Sequence, residues 1–281
     1  MRIIITADST CDLSEELLEQ YKIKTIPLYV MMDGKSLRDT VDIKSQDVFD
    51  YTERTGKLCG TAALSIGDYT DCFASLSKEY DAVVHISLSA CFSSCFQNAA
   101  IAAEDFDNVY VVDSKNLSTG HGHVVLEAAR LAENCTDVEK MVEELNEFTG
   151  RVEASFVLNR LDYMVKGGRC SMVAALGANL LKLKPGIEVV DGKMQVAKKY
   201  RGSYIKCLEA YVKDKLDGRN DIVYDKCFIT YTTADPEEVE AVRAAMAKYA
   251  SFETIYETHA GCTVSCHCGP KTLGILFVRK K

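Results

Sequence analysis

The chain has no surplus of positive charge: among 281 residues, 33 Lys and Arg stand against 41 Asp and Glu, a formal net charge of −8. General nucleic-acid binding is disfavoured, because phosphate contacts need a basic surface, and any basic contact must be local. No uninterrupted apolar run reaches membrane-spanning length, and no apolar stretch follows a basic start in the manner of a signal peptide. The expectation is a soluble, cytoplasmic protein without an integral membrane segment. No Pro/Ser-rich linker, internal repeat or low-complexity stretch breaks the chain, which favours units joined by an extensive interface and a crevice. Signatures of chemistry are also missing. There is no Gly-x-Ser-x-Gly elbow, no phosphate-binding loop and no clear Cys-x-x-Cys pair. Gly120-His121-Gly122 superficially resembles a dinucleotide loop, but Val125 occupies the third glycine position.

What is present is apolar. At 47% hydrophobic residues the chain can bury a substantial core. Its twelve cysteines could describe an oxidised framework, but a chain of this length needs none, and cysteine behaves as a small buried hydrophobe, so reduced core thiols are expected. Cys262, Cys266, His267 and Cys268 form the one tight Cys/His cluster. Zinc would need thiolates and imidazole arranged tetrahedrally; without a Cys-x-x-Cys pair, no metal is expected, and His267 is read at a loop end before the strand Leu273 to Val278.

Strand and helix patterns alternate, which favours an α/β protein. Expected strands are Arg2 to Thr6, Lys24 to Met31, Ala82 to Ser87, Asn108 to Val112, Ser155 to Leu158 and Cys227 to Thr232. Helices are expected at Ser14 to Tyr21 with Ser14 as cap, Gln46 to Arg54, Ile66 to Tyr80, Phe96 to Glu104, His123 to Asn134, Val138 to Thr149 and Ser203 to Leu216. Another helix begins near Pro236, where Asp235, Glu237 and Glu238 suit a first turn. These elements divide into two α/β domains, residues 1–150 with a Rossmann-like, mainly parallel sheet and residues 151–281 with a mixed sheet.

The most informative stretch runs from Leu161 to Arg201. Gly167 and Gly168 permit a turn that side chains would obstruct, and Arg169 projects at the entry to an apolar helical run from Met172 to Leu183, closed by Lys184 and Pro185. Gly192 marks a hairpin between Ile187 to Val190 and Met194 to Val196, which carries Arg201 back. Arg169 and Arg201 are either surface charges or directional phosphate contacts. Three further polar residues have two readings each. The Thr61 hydroxyl faces its own backbone turn or a ligand. Ser93 caps the following helix or meets an anion at its amide end. His267 is a satisfied structural histidine or a ligand donor.

Several segments, in order, resemble the DegV family across nearly the whole chain: Ile5-Thr6-Ala7-Asp8-Ser9-Thr10, Gly60-Thr61-Ala62-Ala63-Leu64-Ser65, Phe92-Ser93-Ser94-Cys95-Phe96-Gln97, Val112-Asp113-Ser114 with Ser118-Thr119-Gly120, Gly167-Gly168-Arg169, and Cys266-His267-Cys268-Gly269-Pro270. The resemblance implies a lipid-binding protein that holds a long-chain fatty acid in a tunnel between its domains and presents the carboxylate to a separate fatty-acid kinase, to be phosphorylated to acyl phosphate. It implies Thr61, Ser93 and His267 as the carboxylate ligands, with Phe92, Phe96, Leu176, Leu180 and Leu181 near the tunnel or in the core. Arg169 and Arg201 become a basic edge for the kinase or the acyl phosphate, and neither is catalytic. No cofactor is expected in this chain, since the phosphoryl donor and its magnesium would belong to the partner.

The sequence departs from the family pattern in three places. Thr61-Ala62-Ala63-Leu64-Ser65 stands for Thr-Ser-x-Pro-Ser, Phe92-Ser93-Ser94-Cys95 for Leu-Ser-Gly-Thr, and Lys271 for a glycine. Both candidate hydroxyls are retained, while the added bulk at Ser94 and the replaced hydroxyl at Cys95 bear on pocket shape, and the sequence sets no chain-length preference. The alternative from another class is a serine esterase or lipid hydrolase using Ser93 and His267.

Overall fold

The computed structural model describes residues 1–174 and 183–281, with the side chain of residue 174 outside the description. Leu176, Leu180 and Leu181 therefore lie outside the described residues. The chain opens with β1 (Ile3–Asp8), a 3-10 turn (Ser9–Cys11), α1 (Glu15–Gln20), β2 (Lys24–Ile26), β3 (Tyr29–Met32), β4 (Lys35–Arg38) and α2 (Ser45–Thr55). It continues through β5 (Gly60–Ala62), α3 (Ile66–Glu79), β6 (Ala82–Ser87), α4 (Cys95–Ala103), β7 (Val109–Asp113), α5 (Ser118–Ala132) and α6 (Val138–Thr149). Then come β8 (Val152–Leu158), α7 (Asp162–Gly167), α8 (Ser171–Ala174), β9 (Leu183–Val190), β10 (Lys193–Arg201) and α9 (Tyr204–Leu216). The last elements are β11 (Ile222–Tyr231), α10 (Pro236–Tyr249), β12 (Thr254–His259), α11 (Cys262–Cys268) and β13 (Thr272–Arg279).

These elements make a two-domain α/β protein. The first sheet has the order β2-β1-β6-β7 and is parallel throughout. Its central strands are almost wholly buried, as in sheets covered on both faces: β6 is buried at every position and β1 at all but Ile3. The second sheet has the order β10-β9-β8-β13-β11-β12 and is mixed, with β11 and β12 parallel and its other pairs antiparallel. One core cluster reaches from Ile4 and Ile5 of the first sheet to Phe228 and Leu276 of the second, so apolar side chains fill the space between them. A second cluster packs α9 and α10 against the other face of the mixed sheet.

Several helix starts follow local rules. Ser14 caps α1, its hydroxyl accepting from Leu17 N at 3.4 Å. Ser65 and Asp68 form a capping box at α3, and Asp235 with Glu238 does so at α10, where Pro236 takes the first position.

Other expectations need correction. The strand expected from Lys24 to Met31 is two strands in different sheets, β2 in the parallel sheet and β3 in a small antiparallel sheet, β4-β3-β5. Pro27, which has no N–H for a ladder, stands at the break. The helix expected from His123 begins at Ser118, so His121 and His123 lie inside it rather than at its entrance. Of the helix expected from Met172 to Leu183 only the first turn, α8, is described; Leu183, Lys184 and Pro185 open β9, where Leu183 pairs with Arg201 and Pro185 with Lys199. His267 does not sit at a loop end, because residues 262–268 form α11.

Candidate functional site

Helix α11 is short, and its sequence Cys-Thr-Val-Ser-Cys-His-Cys carries no capping residue of its own. Its amide end is held instead by carboxylates from far away. Gly261 N donates to Asp12 Oδ1 at 2.8 Å, Cys262 N to Asp39 Oδ1 at 2.8 Å and Thr263 N to Asp39 Oδ2 at 3.3 Å. Asp39 also accepts from the Ser9 hydroxyl at 3.1 Å, and Asp12 from the Ser118 hydroxyl at 2.5 Å. Burial pushes Asp12 up to about 8, against the pull of its bonds to Ser118 and Gly261. The turn after β1, the start of α5 and the strand-rich segment around Asp39 thereby fix one helix.

That helix is sandwiched. Cys262 and Cys266 enter a small core with Val30, Phe49 and Cys59, while Val264 and Cys268 enter the large one. The face between them carries Thr263 and His267, four residues apart and so on one side of the helix. In the last turn His267 meets β5: its Nε2 lies 2.8 Å from Thr61 Oγ1. The opposite edge of the ring packs on the backbone of Gly167, where an added Cβ would lie 2.5 Å from Nδ1. Gly168 beside it closes α7 in the left-handed region, at φ +69. The glycine pair thus meets two separate needs, room for an imidazole and a positive φ.

Burial, with the Arg169 guanidinium nearby, pushes His267 down to about 4, so the ring is neutral near pH 7. A neutral ring carries one N–H. With the proton on Nε2, His267 donates to Thr61 and frees the threonine O–H to donate elsewhere; Nδ1, buried and without a partner among the described residues, is then left as an acceptor rather than as an orphaned donor.

Ser93 and Arg169 complete one end of the pocket. Ser93 precedes α4, and its oxygen accepts from Cys95 N at 3.3 Å while its hydroxyl donates to Cys95 Sγ at 3.1 Å. Arg169 sits between α7 and α8; its Nε donates to Phe92 O at 3.3 Å and a terminal nitrogen to Gly167 O at 2.8 Å, tying the two loops together. Thr61, Ser93, Arg169 and His267 all line one cavity, whose space counted out to open solvent is about 520 Å³. Its other walls are mostly apolar and include Leu28, Leu88, Phe92, Leu117, Met194 and Val264.

A second, apolar-walled cavity of about 350 Å³, counted out to open solvent, shares Leu117, Val264 and Cys268 with the first and lies between the mixed sheet and the helices α5 and α11, past Phe156 and Leu276. The pocket therefore has a polar end and an apolar continuation. The hairpin β9–β10 contributes Met194 to the wall, and its turn is tied down by the Ser89 hydroxyl, which donates to Gly192 O at 3.0 Å.

Four of the five residues singled out in the sequence come together here. Arg201 is exposed at the far end of β10, seven residues beyond Met194, or about 23 Å along a strand. Phe92 lines the cavity, whereas Phe96 is half-buried on α4 and is not among its lining residues. The sequence reading passed over Thr10 and Thr263, which line the pocket as well. Thr10 stood inside a quoted motif, and Thr263 precedes His267 by one helical turn, a spacing visible only once α11 is known to be a helix. Among the described residues no hydrogen bond joins Ser93 to His267: the Ser93 hydroxyl is paired with Cys95 Sγ and His267 Nε2 with Thr61. Among the described residues no three His, Cys, Asp or Glu side chains converge as metal ligands, and no helix is long and apolar enough to cross a membrane.

Comparison with known proteins gives one family. A family model described as "Uncharacterised protein, DegV family" matches residues 2–280. A DegV domain-containing protein of Caldanaerobacter subterraneus is 31% identical over 284 residues, which cover 99% of each chain. A solved DegV family protein of Thermus thermophilus, described by its fatty acid binding, has a TM-score of 0.88 and 28% identity, covering 99% of this chain and 100% of its own. DegV of Bacillus subtilis, described as a fatty acid binding protein, has a TM-score of 0.82 and 27% identity, covering 100% of both chains.

Proposed function

The chain belongs to the DegV family, and from that premise we propose that it binds a long-chain fatty acid and presents the carboxylate to a separate fatty-acid kinase. The observation that carries this reading is the two-part cavity: Thr61, Ser93, His267 and Arg169 at one end, and an apolar continuation sharing Leu117, Val264 and Cys268 at the other. A fatty acid has the same two parts.

The two ends do different work. Each buried methylene contributes about 0.8 kcal/mol, so fourteen contribute on the order of 11 kcal/mol before the costs of ordering. The tail supplies affinity. A carboxylate without partners would be strongly disfavoured in such a pocket, and hydrogen bonds to a charged group contribute roughly 1.5–3 kcal/mol each. The Thr61 O–H, freed by the Nε2–H tautomer, and the Ser93 O–H, held otherwise only by a thiol, are donors for it. Arg169 adds charge at the mouth, anchored by two carbonyls.

The kinase belongs to the same proposal. Arg169 is exposed beside the polar end, where a carboxylate would meet a phosphoryl donor, and the chain has no phosphate-binding loop of its own. Arg201 lies far along β10 and would serve the partner's docking rather than the phosphate. We take the protein to be cytoplasmic, with carboxylate binding by Thr61, Ser93 and His267 and a division into domains at residues 150/151. The hydrolase alternative has less support, since the Ser93 hydroxyl donates to Cys95 Sγ and His267 pairs with Thr61.

The test is to denature the purified protein and identify any released small molecule by mass spectrometry. Near-stoichiometric long-chain fatty acid, diminished in Thr61→Ala, Ser93→Ala and His267→Ala, is the expected result. No lipid, followed by failed loading of delipidated protein, would overturn the reading.

A further inference from the structure

Two hydroxyls in the pocket are left over once Thr61, Ser93, His267 and Arg169 have been given roles. Thr10, in the turn after β1, is 1% exposed, and Thr263, in the first turn of α11, is 6% exposed. Both line the cavity, and neither Oγ1 has a hydrogen-bond partner among the described residues. Nearby buried hydroxyls behave differently: Ser9 bonds to Asp39, Ser118 to Asp12 and Thr119 to Thr230. Nor is the Thr263 hydroxyl spent as a helix cap, because its backbone N–H goes to Asp39. A buried hydroxyl left without a partner is costly, and a plain hydrocarbon lying against both would leave them so.

Their position sets what could satisfy them. Thr263 lies one turn before His267 on the same face of α11, about 6 Å towards the helix N-terminus at 1.5 Å per residue. The apolar continuation runs beside it along a neighbouring face of α11, walled by Ala260, Val264 and Cys268. A chain with its carboxylate at Thr61 and His267 would pass Thr263 a few carbons further on.

We infer that Thr10 and Thr263 form a second polar subsite that takes a hydroxyl group on the acyl chain, a few carbons from the carboxylate, so that the pocket selects hydroxylated over plain long-chain acids. The inference rests on the fatty-acid reading above. A chain hydroxyl both donates and accepts, as does each threonine, so it can serve one of them as donor and the other as acceptor. A site built to bond a hydroxyl discriminates against the analogue lacking it, because its own groups are then left unpaired.

The experiment is competition binding on delipidated protein, with a fluorescent long-chain acid displaced by palmitic acid or by palmitic acids hydroxylated near the carboxylate, at mid-chain or near the methyl end. The wild type is expected to bind the acid hydroxylated near the carboxylate about tenfold more tightly than palmitic acid. Thr10→Val and Thr263→Val should each erode that preference, and Thr10→Ser and Thr263→Ser should keep it. Equal affinity of the wild type for palmitic acid and every hydroxylated acid would overturn the inference while leaving the fatty-acid reading intact, as would a preference that survives in both valine variants. If the wild type binds no acid of either kind, both readings fall.

Discussion

Beside the Thr61/His267 pocket the molecule has a larger opening, a cleft of about 1000 Å³ lined by Lys115, Glu153, Glu188, Lys215, Arg219 and Arg279 among others. Volume alone would choose the cleft. Most of its charges, however, are engaged in ion pairs: Lys215 with Glu188, Arg219 with Glu153 and Asp221, and Arg279 with Glu153. The smaller pocket has the reverse character, mostly apolar walls and polar groups with bonding capacity to spare at Thr10, Thr263 and His267. Mostly apolar walls around unpartnered polar atoms, rather than size, distinguish the pocket from the cleft, where Arg279 Nε lacks a hydrogen-bond partner among the described residues but the surrounding charges are largely paired.

The largest effect expected is from acid. Burial pushes His121, His123 and His267 each down to about 4. Each is neutral in the fold while the unfolded chain takes up a proton near 6.5, so stability is full above that value and is lost as the pH falls towards 4, by several kcal/mol for the three together. Asp12, pushed up to about 8, runs the other way: the fold keeps its proton, and stability declines as the pH rises from about 4 to 8. Between 6.5 and 8 it acts without opposition from the histidines, so denaturant melts should be most favourable near pH 6.5. Asp12→Asn should flatten the alkaline decline; an unchanged slope would remove Asp12 as its source.

Next come the pocket variants. Thr61→Ala should weaken fatty-acid binding on the order of a hundredfold, the cost of a lost bond to a charged group, and His267→Ala should weaken it less, by removing the partner that orients the Thr61 hydroxyl, each with a melting temperature within a few degrees of wild type. Gly167→Ala should resemble them, since its methyl would displace the imidazole. If these variants lose stability rather than binding, the contrast between pocket and cleft fails on the pocket side.

The cleft has the opposite expectation. Glu153→Gln removes a partly buried partner of both Arg219 and Arg279 and should cost about 1 kcal/mol, lowering the melting temperature by a few degrees, while fatty-acid retention stays at the wild-type level. A loss of retention would show the cleft to be part of the binding machinery. The smallest effect is expected from Arg201→Ala, with no change in lipid retention or melting; only turnover with a kinase present should fall.

Much of this was legible in the sequence because it depended on local rules. The Ser14 cap, the acidic first turn around Pro236, the strands β1 and β6, and the turn at Gly192 each follow from residues within a few positions of one another. The grouping of Thr61, Ser93, Arg169 and His267 came from motif order, and the structure supplies the contact between residues 206 positions apart. The illegible parts are those decided at a distance. Residues 262–268 carry β-branched and cysteine residues without a local cap, and they become helical because Asp12 and Asp39 hold their amide end. The start of α5 was hidden likewise: Leu117 cannot cap, Gly120 and Gly122 lower propensity, and Ser118 takes a positive φ beside Asp12.

The anchoring of α11 by Asp12 and Asp39 also bears on how the protein is made. Synthesis delivers both carboxylates early and their amide partners more than two hundred residues later, after which β13 must still insert between β8 and β11. During translation the amino-terminal half emerges with two acids whose burial cannot yet be compensated. The pocket is thus completed late in synthesis: a nascent chain can begin its parallel sheet, but Thr61 has no imidazole to meet until α11 has emerged.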